Sequence, residues 1–274
     1  MDEGTNRKIA VLIDAENISC KYVKLVLDEA SRFGTVICKR IYADWSSNAT
    51  ASWRKVVQDY SIHTIQQFSN TAGKNSSDSA MIIDAMDLLH EGRLQGFCLV
   101  SSDSDFTRLA SRLRESEMLV VGMGEQKTPS SFINACDKFS YLDILLKQQE
   151  KETGSAEIVK TKPKLSGKAR PSPNAVDSKN SESDDAHLNP GMNKDAIIKT
   201  IAELVEENSD EDGWYFLGVL GNQLLSQYPD FDARNFGFSK LSAFVKSIGT
   251  YDFRSDPHPA KLNVQLVYIR KKQG

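Results

Sequence analysis

The sequence predicts an α/β protein, a parallel sheet with helices on both faces, followed by a small winged-helix-like second domain. Three observations carry this reading. Two short, wholly apolar runs, Ile9-Ala10-Val11-Leu12-Ile13 and Phe97-Cys98-Leu99-Val100, suit strands buried on both faces. Segments with apolar residues at helical spacing lie between such runs, which gives repeated β-α units. Composition then changes abruptly near Gln148, and a second amphipathic stretch begins near Met192.

In chain order, Ser19 is placed to cap a helix through Tyr22, Val26, Leu27 and Ala30 that ends near Gly34. Val36 to Tyr42 reads as the second strand. Trp53, Val56, Val57 and Tyr60 sit at helical spacing, and Ile62 to Ile65 reads as the third strand. A helix starting near Ser76-Ser77-Asp78 carries Met81, Ile82, Ala85, Met86 and Leu89 on one face and stops at Gly92. After the strand Phe97 to Val100, Phe106, Leu109, Ala110 and Leu113 lie on a helix. Met118 to Val121 is a further strand, and a short helix and strand run from Pro129 to Leu142.

From Gln148 to about Asn189 the chain is rich in Lys, Ser, Pro, Asp and Glu and has no aromatic residue, the composition of a flexible linker. The expected boundaries are 7–146 for the first domain, 147–190 for the linker and 191–272 for the second domain. In that second domain Ala196 to Val205 and Leu217 to Leu225 read as helices separated by Gly213-Trp214. Phe244, Val245 and Ile248 give a third. Tyr251 to Arg254 and Leu266 to Ile269 are expected to pair as a hairpin across Asp256-Pro257-His258-Pro259.

Composition excludes several classes. A net charge of -3 over 274 residues rules out a global cationic field, so nucleic-acid binding must rest on local basic patches. No apolar run approaches the ~20 residues of a membrane span, and the polar start through Lys8 does not resemble a signal peptide. Cys20, Cys38, Cys98 and Cys136 form no CxxC pair. They read as free thiols of a reducing, cytoplasmic compartment rather than a disulfide framework or zinc site. His63, His90, His187 and His258 are equally scattered and are read as structural or exposed.

The carboxylates carry the strongest chemical signal. Asp14 ends the first strand, Asp44 follows the second, Asp78 opens a helix, and Asp103 and Asp105 follow Phe97–Val100. In a parallel sheet the carboxyl ends of the strands share one edge, where ligands bind. These five residues are therefore expected to converge on an acidic cup. Singly, each also suits a helix cap. Mg²⁺ or Mn²⁺, hard cations that prefer oxygen ligands, would relieve the repulsion and act on a phosphodiester. Ser102 and Ser104, near a helix start, are placed to donate to a phosphate.

Ile13-Asp14-Ala15-Glu16-Asn17, Lys74-Asn75-Ser76-Ser77-Asp78 with Asp84-Ala85-Met86, and Ser101-Ser102-Asp103-Ser104-Asp105-Phe106 together resemble the NYN domain of the PIN-like nuclease superfamily. The resemblance implies a PIN-like sheet and a metal-dependent endoribonuclease. It implies metal-binding roles for Asp14, Asp78 and Asp103, with Asp105 assisting the catalytic set and Asn17 orienting a ligand, water or substrate. Asp44 completes the expected metal ligands. Two departures are Ser102 and Ser104, where the family often has Gly.

Asp212-Gly213-Trp214, Leu220-Gly221, Pro229-Asp230-Phe231-Asp232, Phe236-Gly237-Phe238-Ser239-Lys240-Leu241 and Val267-Tyr268-Ile269-Arg270 resemble the LOTUS domain, also called OST-HTH. That resemblance implies binding to RNA or to a protein partner. Arg234, Lys240, Lys246 and Arg254 are the expected phosphate contacts, while Trp214, Phe236 and Phe238 read as packing residues. The combined expectation is a Mg²⁺- or Mn²⁺-dependent endoribonuclease with a recruiting module and no membrane partner. The alternative is an inactive RNA-binding or protein-docking adaptor.

Overall fold

The computed structural model describes residues 7–68, 76–157, 190–257 and 265–272. Six parallel strands form the first sheet: β1 (Lys8–Asp14), β2 (Thr35–Ala43), β3 (His63–Gln66), β4 (Gly96–Val100), β5 (Leu119–Gly124) and β6 (Lys138–Tyr141). Their order is β3-β2-β1-β4-β5-β6, so the direction of winding reverses between β1 and β4. That reversal opens a crevice at the carboxyl ends of these two strands.

Helices cover both faces because the central strands are apolar on both. Ala10, Leu12, Phe97, Leu99 and Val120 pack with α3 (Ser76–His90), α4 (Thr107–Glu115) and α5 (Ser130–Ala135). Ile9, Val11, Ile13, Cys98, Val100 and Val121 pack with α1 (Val23–Ala30), α2 (Trp53–Asp59) and the start of α6 (Leu142–Glu157). Each fully buried Leu, Ile or Val contributes ~1.5–3 kcal/mol of transfer free energy. The third strand lies one residue later than expected, and β5 runs on to Gly124. Helix α6 occupies 147–157, the first part of the span expected as linker; the rest of it, 158–189, lies outside the described residues, as do His187, His258 and Lys74-Asn75.

The second domain has α7 (Lys194–Asn208), α8 (Leu217–Gln227) and α9 (Leu241–Ile248) around Ile197, Ile201, Leu220, Leu224 and Phe244. Asn193 caps α7 by accepting from the backbone N–H of Asp195 and Ala196, both at 3.1 Å. The expected hairpin is β8 (Tyr251–Pro257) against β9 (Gln265–Lys271). A two-residue strand, β7 (Tyr215–Phe216), between the expected break at Gly213-Trp214 and the helix from Leu217, adds to the other edge of β9. Two residues are too few for alternation to signal a strand.

The two domains are packed together. The Tyr141 hydroxyl donates to Asp230 at 2.7 Å, and the Phe139 backbone N–H donates to the Pro229 carbonyl at 2.8 Å. Met192 packs against the core of the first domain. Gly191 lies so close to Asp230 that a Cβ there would fall 2.0 Å from its Oδ1, so only glycine admits this approach. Arg234 donates to both Glu29 oxygens, at 2.7 and 3.0 Å, and to Asp232 at 2.6 Å. Burial alone would push the Glu29 carboxyl up. The hydrogen bonds and charge of Arg234, with help from Arg32, outweigh that and hold it below its ordinary value.

Candidate active site

The crevice between β1 and β4 is built from three pieces of chain. Asp14 is the last residue of β1, Asp78 lies in the first turn of α3, and Asp103 and Asp105 sit in the loop and 3-10 turn after β4. Carboxylate oxygens of Asp78, Asp103 and Asp105 all lie within 4.8 Å of one another. Asp103 also caps the 3-10 turn, its Oδ1 accepting from the Asp105 backbone N–H at 2.9 Å. Capping and clustering therefore coexist in one residue.

Asp14 is almost fully buried beside this group. Its Oδ2 accepts from Asn17 Nδ2 and from Ser101 Oγ, both at 2.7 Å, and its Oδ1 accepts from the Glu16 backbone N–H at 3.0 Å. Burial pushes its carboxyl up despite these bonds. Asp78 is pushed up to about 7, by burial first and then by the charges of Asp14, Asp103, Asp105 and Glu16. A site that raises a carboxyl this far favours a proton or a cation.

All of the clustered ligand atoms are oxygens, and no His or Cys belongs to the group among the described residues. This donor set suits a hard divalent cation and not zinc. The residues present thus fit the metal that the PIN-like superfamily generally uses.

The structure redistributes the expected roles. Asp105, expected to assist, joins the mutual cluster, whereas Asp14 stands behind it with its oxygens taken by Asn17 and Ser101. Asn17 thus orients a carboxylate. Asp44, expected as a metal ligand, is outside the cluster; it accepts from the Ser46 backbone N–H and from Gln66 Nε2, both at 3.0 Å, and orders the turn after β2. The reason is position: β2 lies one strand away from the β1/β4 crevice. Ser102, expected to meet a phosphate, is buried and accepts from the Glu125 backbone N–H at 2.9 Å, while Ser104 is exposed. Gly124 allows this closeness, since a Cβ there would lie 2.6 Å from the Ser101 carbonyl oxygen.

Ser101 was not singled out by sequence reasoning. It is fully buried, donates to Asp14 and accepts from the Asp103 backbone N–H at 3.1 Å, so it ties the two strand ends together. A hydroxyl directly between an apolar strand and an acidic loop is the signal that points to it.

In the second domain the basic candidates separate. Arg234 is committed to Glu29 and Asp232 and is not free for phosphate. Arg254 lies 4.7 Å from the Trp214 ring and 5.0 Å from the Tyr268 ring, and pairs with Asp256 at 3.0 Å. Lys240 and Lys246 are exposed and form no ion pair among the described residues; Lys246 sits 5.1 Å from the Phe253 ring. Phe236 and Phe238 pack on Phe244 at 5.1 and 5.6 Å.

The chain thus combines a parallel α/β sheet with carboxylates clustered at its switch point. Residues 8–143 match the NYN domain, a member of the PIN-like nuclease superfamily, and residues 192–262 match the OST-HTH/LOTUS domain. The chain carries these two domains in that order. A solved structure of a protein of unknown function from Vibrio parahaemolyticus is similar to 52% of this chain and 96% of its own, at 19% identity and a TM-score of 0.43. No curated protein matches this chain. Among the described residues no helix is long and apolar enough to cross a membrane.

Proposed function

We propose that the protein is a metal-dependent endoribonuclease that cuts RNA phosphodiester bonds, with its OST-HTH/LOTUS domain recruiting the RNA. The observation that carries this reading is the mutual approach of Asp78, Asp103 and Asp105 within 4.8 Å beside buried Asp14. An adaptor has no need for carboxylates crowded enough to push one of them to about 7.

Asp78, Asp103 and Asp105 would hold Mg²⁺ or Mn²⁺, which supplies Lewis-acid polarisation of a phosphoryl oxygen and activation of water when bound. Asp14 adds its charge to that field. Asn17 and Ser101 fix the Asp14 carboxylate by one hydrogen bond to its Oδ2 each. Burial and the neighbouring carboxylates push Asp78 up to about 7, so without a cation its charge is only partly present near neutral pH. Ser104, exposed between Asp103 and Asp105, is the hydroxyl this reading assigns as donor to a phosphate oxygen. Lys240 and Lys246 present charge for RNA capture. The free thiols of Cys20, Cys38, Cys98 and Cys136 suit a reducing compartment, the cytoplasm in this reading.

The test is cleavage of single-stranded and structured RNA by the full chain with Mg²⁺, with Mn²⁺ and with EDTA, beside Asp103→Asn. Metal-dependent products that the variant does not form support the enzyme. RNA binding without cleavage in either metal supports the adaptor.

A further inference from the structure

A second place on the molecule has the opposite electrostatic character. Glu29, in the last turn of helix α1, reaches the edge strand β6, where Ser140 Oγ donates to it at 3.4 Å, and Arg32 lies just beyond the helix. Lys138, the first residue of β6, lies on that same edge strand, paired with Val121. Here the second domain meets the first across a cleft of about 430 Å³, within the ~300–1,000 Å³ range of ligand sites. Its charged lining is Glu29, Arg32, Lys138, Asp232, Arg234 and Lys240, four cations against two carboxylates.

The carboxylates are already used. Arg234 takes both Glu29 oxygens and Asp232, and Arg32 shares Glu29 at 3.0 Å. Lys138 and Lys240 form no ion pair among the described residues. Lys138 is half-buried, 5.4 Å from the centre of the Phe33 ring. Burial lowers its pKa and the nearby charges of Arg32 and Arg7 lower it further, which the charges of Asp232 and Glu29 offset only in part. A half-buried cation crowded by other cations is relieved by an anion. Apolar Phe33, Leu225 and Leu241 wall the same cleft.

We infer that this interdomain cleft binds a phosphate group on Lys138, Arg32 and Lys240, supplied by an RNA strand or by a free phosphate ester. The RNA source rests on the function proposed above; the phosphate chemistry does not. The cleft lies at the β6 edge of the sheet and shares no residue with the acidic site at the β1/β4 crevice, so a phosphate held here is a docking contact and not the scissile one. Because both domains contribute cations, an occupant also strengthens their contact.

The test uses the full chain and Lys138→Gln/Arg32→Gln, in EDTA so that RNA stays intact. Inorganic phosphate is titrated while melting is followed, against chloride at matched ionic strength, because phosphate also stabilises proteins by exclusion from their surface. Oligouridine carrying a fluorophore is titrated by anisotropy over a salt series. In the first arm the wild type melts higher in phosphate by a margin the double variant loses. In the second, the variant binds RNA about tenfold more weakly, and its salt slope is shallower by ~0.7–1.4, the value for one or two phosphate contacts on a single strand. Lys138→Arg with Arg32 intact retains both behaviours, which separates charge from folding. A response in the first arm alone assigns a free phosphate ester; one in the second assigns the strand. Equal phosphate response and equal RNA salt slope in wild type and double variant overturn the site, even where the wild type cleaves RNA. A chain that neither binds nor cuts RNA overturns the proposed function, and the phosphate melt alone then decides the cleft.

Discussion

Arg234 and Glu29, 205 residues apart, form a two-pronged ion pair at 2.7 and 3.0 Å across the boundary between the two domains. Glu29 is almost fully buried and Arg234 keeps 22% of its side chain exposed. Removing one member of such a pair leaves a buried charge without its main partner. Arg234→Met should cost ~2–3 kcal/mol at pH 7, the low end for a buried pair because the arginine is partly solvated. Its melting should show two separated transitions, seen by calorimetry of the full chain. A single transition at the wild-type temperature would refute the clamp.

The same pair predicts a pH dependence. Glu29 is held below its ordinary value of 4.5, so its contribution to stability is present above that value and is lost as pH falls through the folded value. In Arg234→Met burial dominates instead and raises the Glu29 pKa, so protonation relieves the charge as pH falls. The stability gap between wild type and variant should therefore narrow from pH 7 towards pH 4. Comparing the two proteins cancels Asp230, whose carboxyl is raised by burial in both and works in the opposite direction. Chemical denaturation at each pH reads the gap; a gap that widens on acidification contradicts the assignment.

At the acidic site, stability and activity should move in opposite directions. Asp78→Asn removes a charge repelled by Asp14, Asp103, Asp105 and Glu16. In EDTA it should raise the melting temperature by about 2–4 °C, the equivalent of ~1 kcal/mol in a chain of this length. Asp103→Asn should lower kcat for RNA by ~10²–10³-fold, the scale of losing one electrostatic contact to a transition state. Undiminished cleavage by both variants would remove these residues from the proposed chemistry.

How far the sequence reached depends on the range of the interaction. Apolar runs such as Ile9–Ile13 announce buried strands locally, and the order of β-α units then brings Asp14, Asp78, Asp103 and Asp105 to one edge. Asp44 misled because strand ends alone do not report strand order, and β2 is removed from the crevice. Arg234 misled because an exposed-looking arginine in sequence carries no mark of a partner 205 residues away. Ser101 was overlooked because a buried hydroxyl between two carboxylates is defined by contacts, not by spacing.

Ser101 is therefore the sharper probe of how the carboxylates are held. Its Oγ joins Asp14 Oδ2 to the backbone of Asp103, and it is fully buried. Ser101→Ala should weaken metal binding, with Mg²⁺ or Mn²⁺ needed at ~10–100-fold higher concentration, the usual cost of losing a group that orients a ligand shell. RNA affinity measured in EDTA should not change, and Ser101→Thr should recover part of the loss if the extra methyl is accommodated. A fall in RNA binding without any change in metal requirement would show that Ser101 serves the fold of the loop and not the carboxylates.

The second domain offers a prediction that separates packing from phosphate contact. Arg254 lies between Trp214 and Tyr268 and pairs with Asp256, so its charge is already engaged. Arg254→Ala should destabilise the domain by ~1–2 kcal/mol, from two ring contacts of ~0.5–1 kcal/mol each, and leave the salt slope of RNA binding unchanged. Lys246→Ala should do the reverse: its ammonium is exposed over Phe253, so stability changes little, while the slope of log affinity against log salt becomes shallower by ~0.7 for single-stranded RNA. The two variants are compared by thermal melting and by anisotropy from low to moderate salt. If Arg254→Ala flattens the slope and Lys246→Ala does not, the strand runs over the Trp214 face of the β7-β9-β8 sheet, and the ring stack around Arg254 opens to receive it.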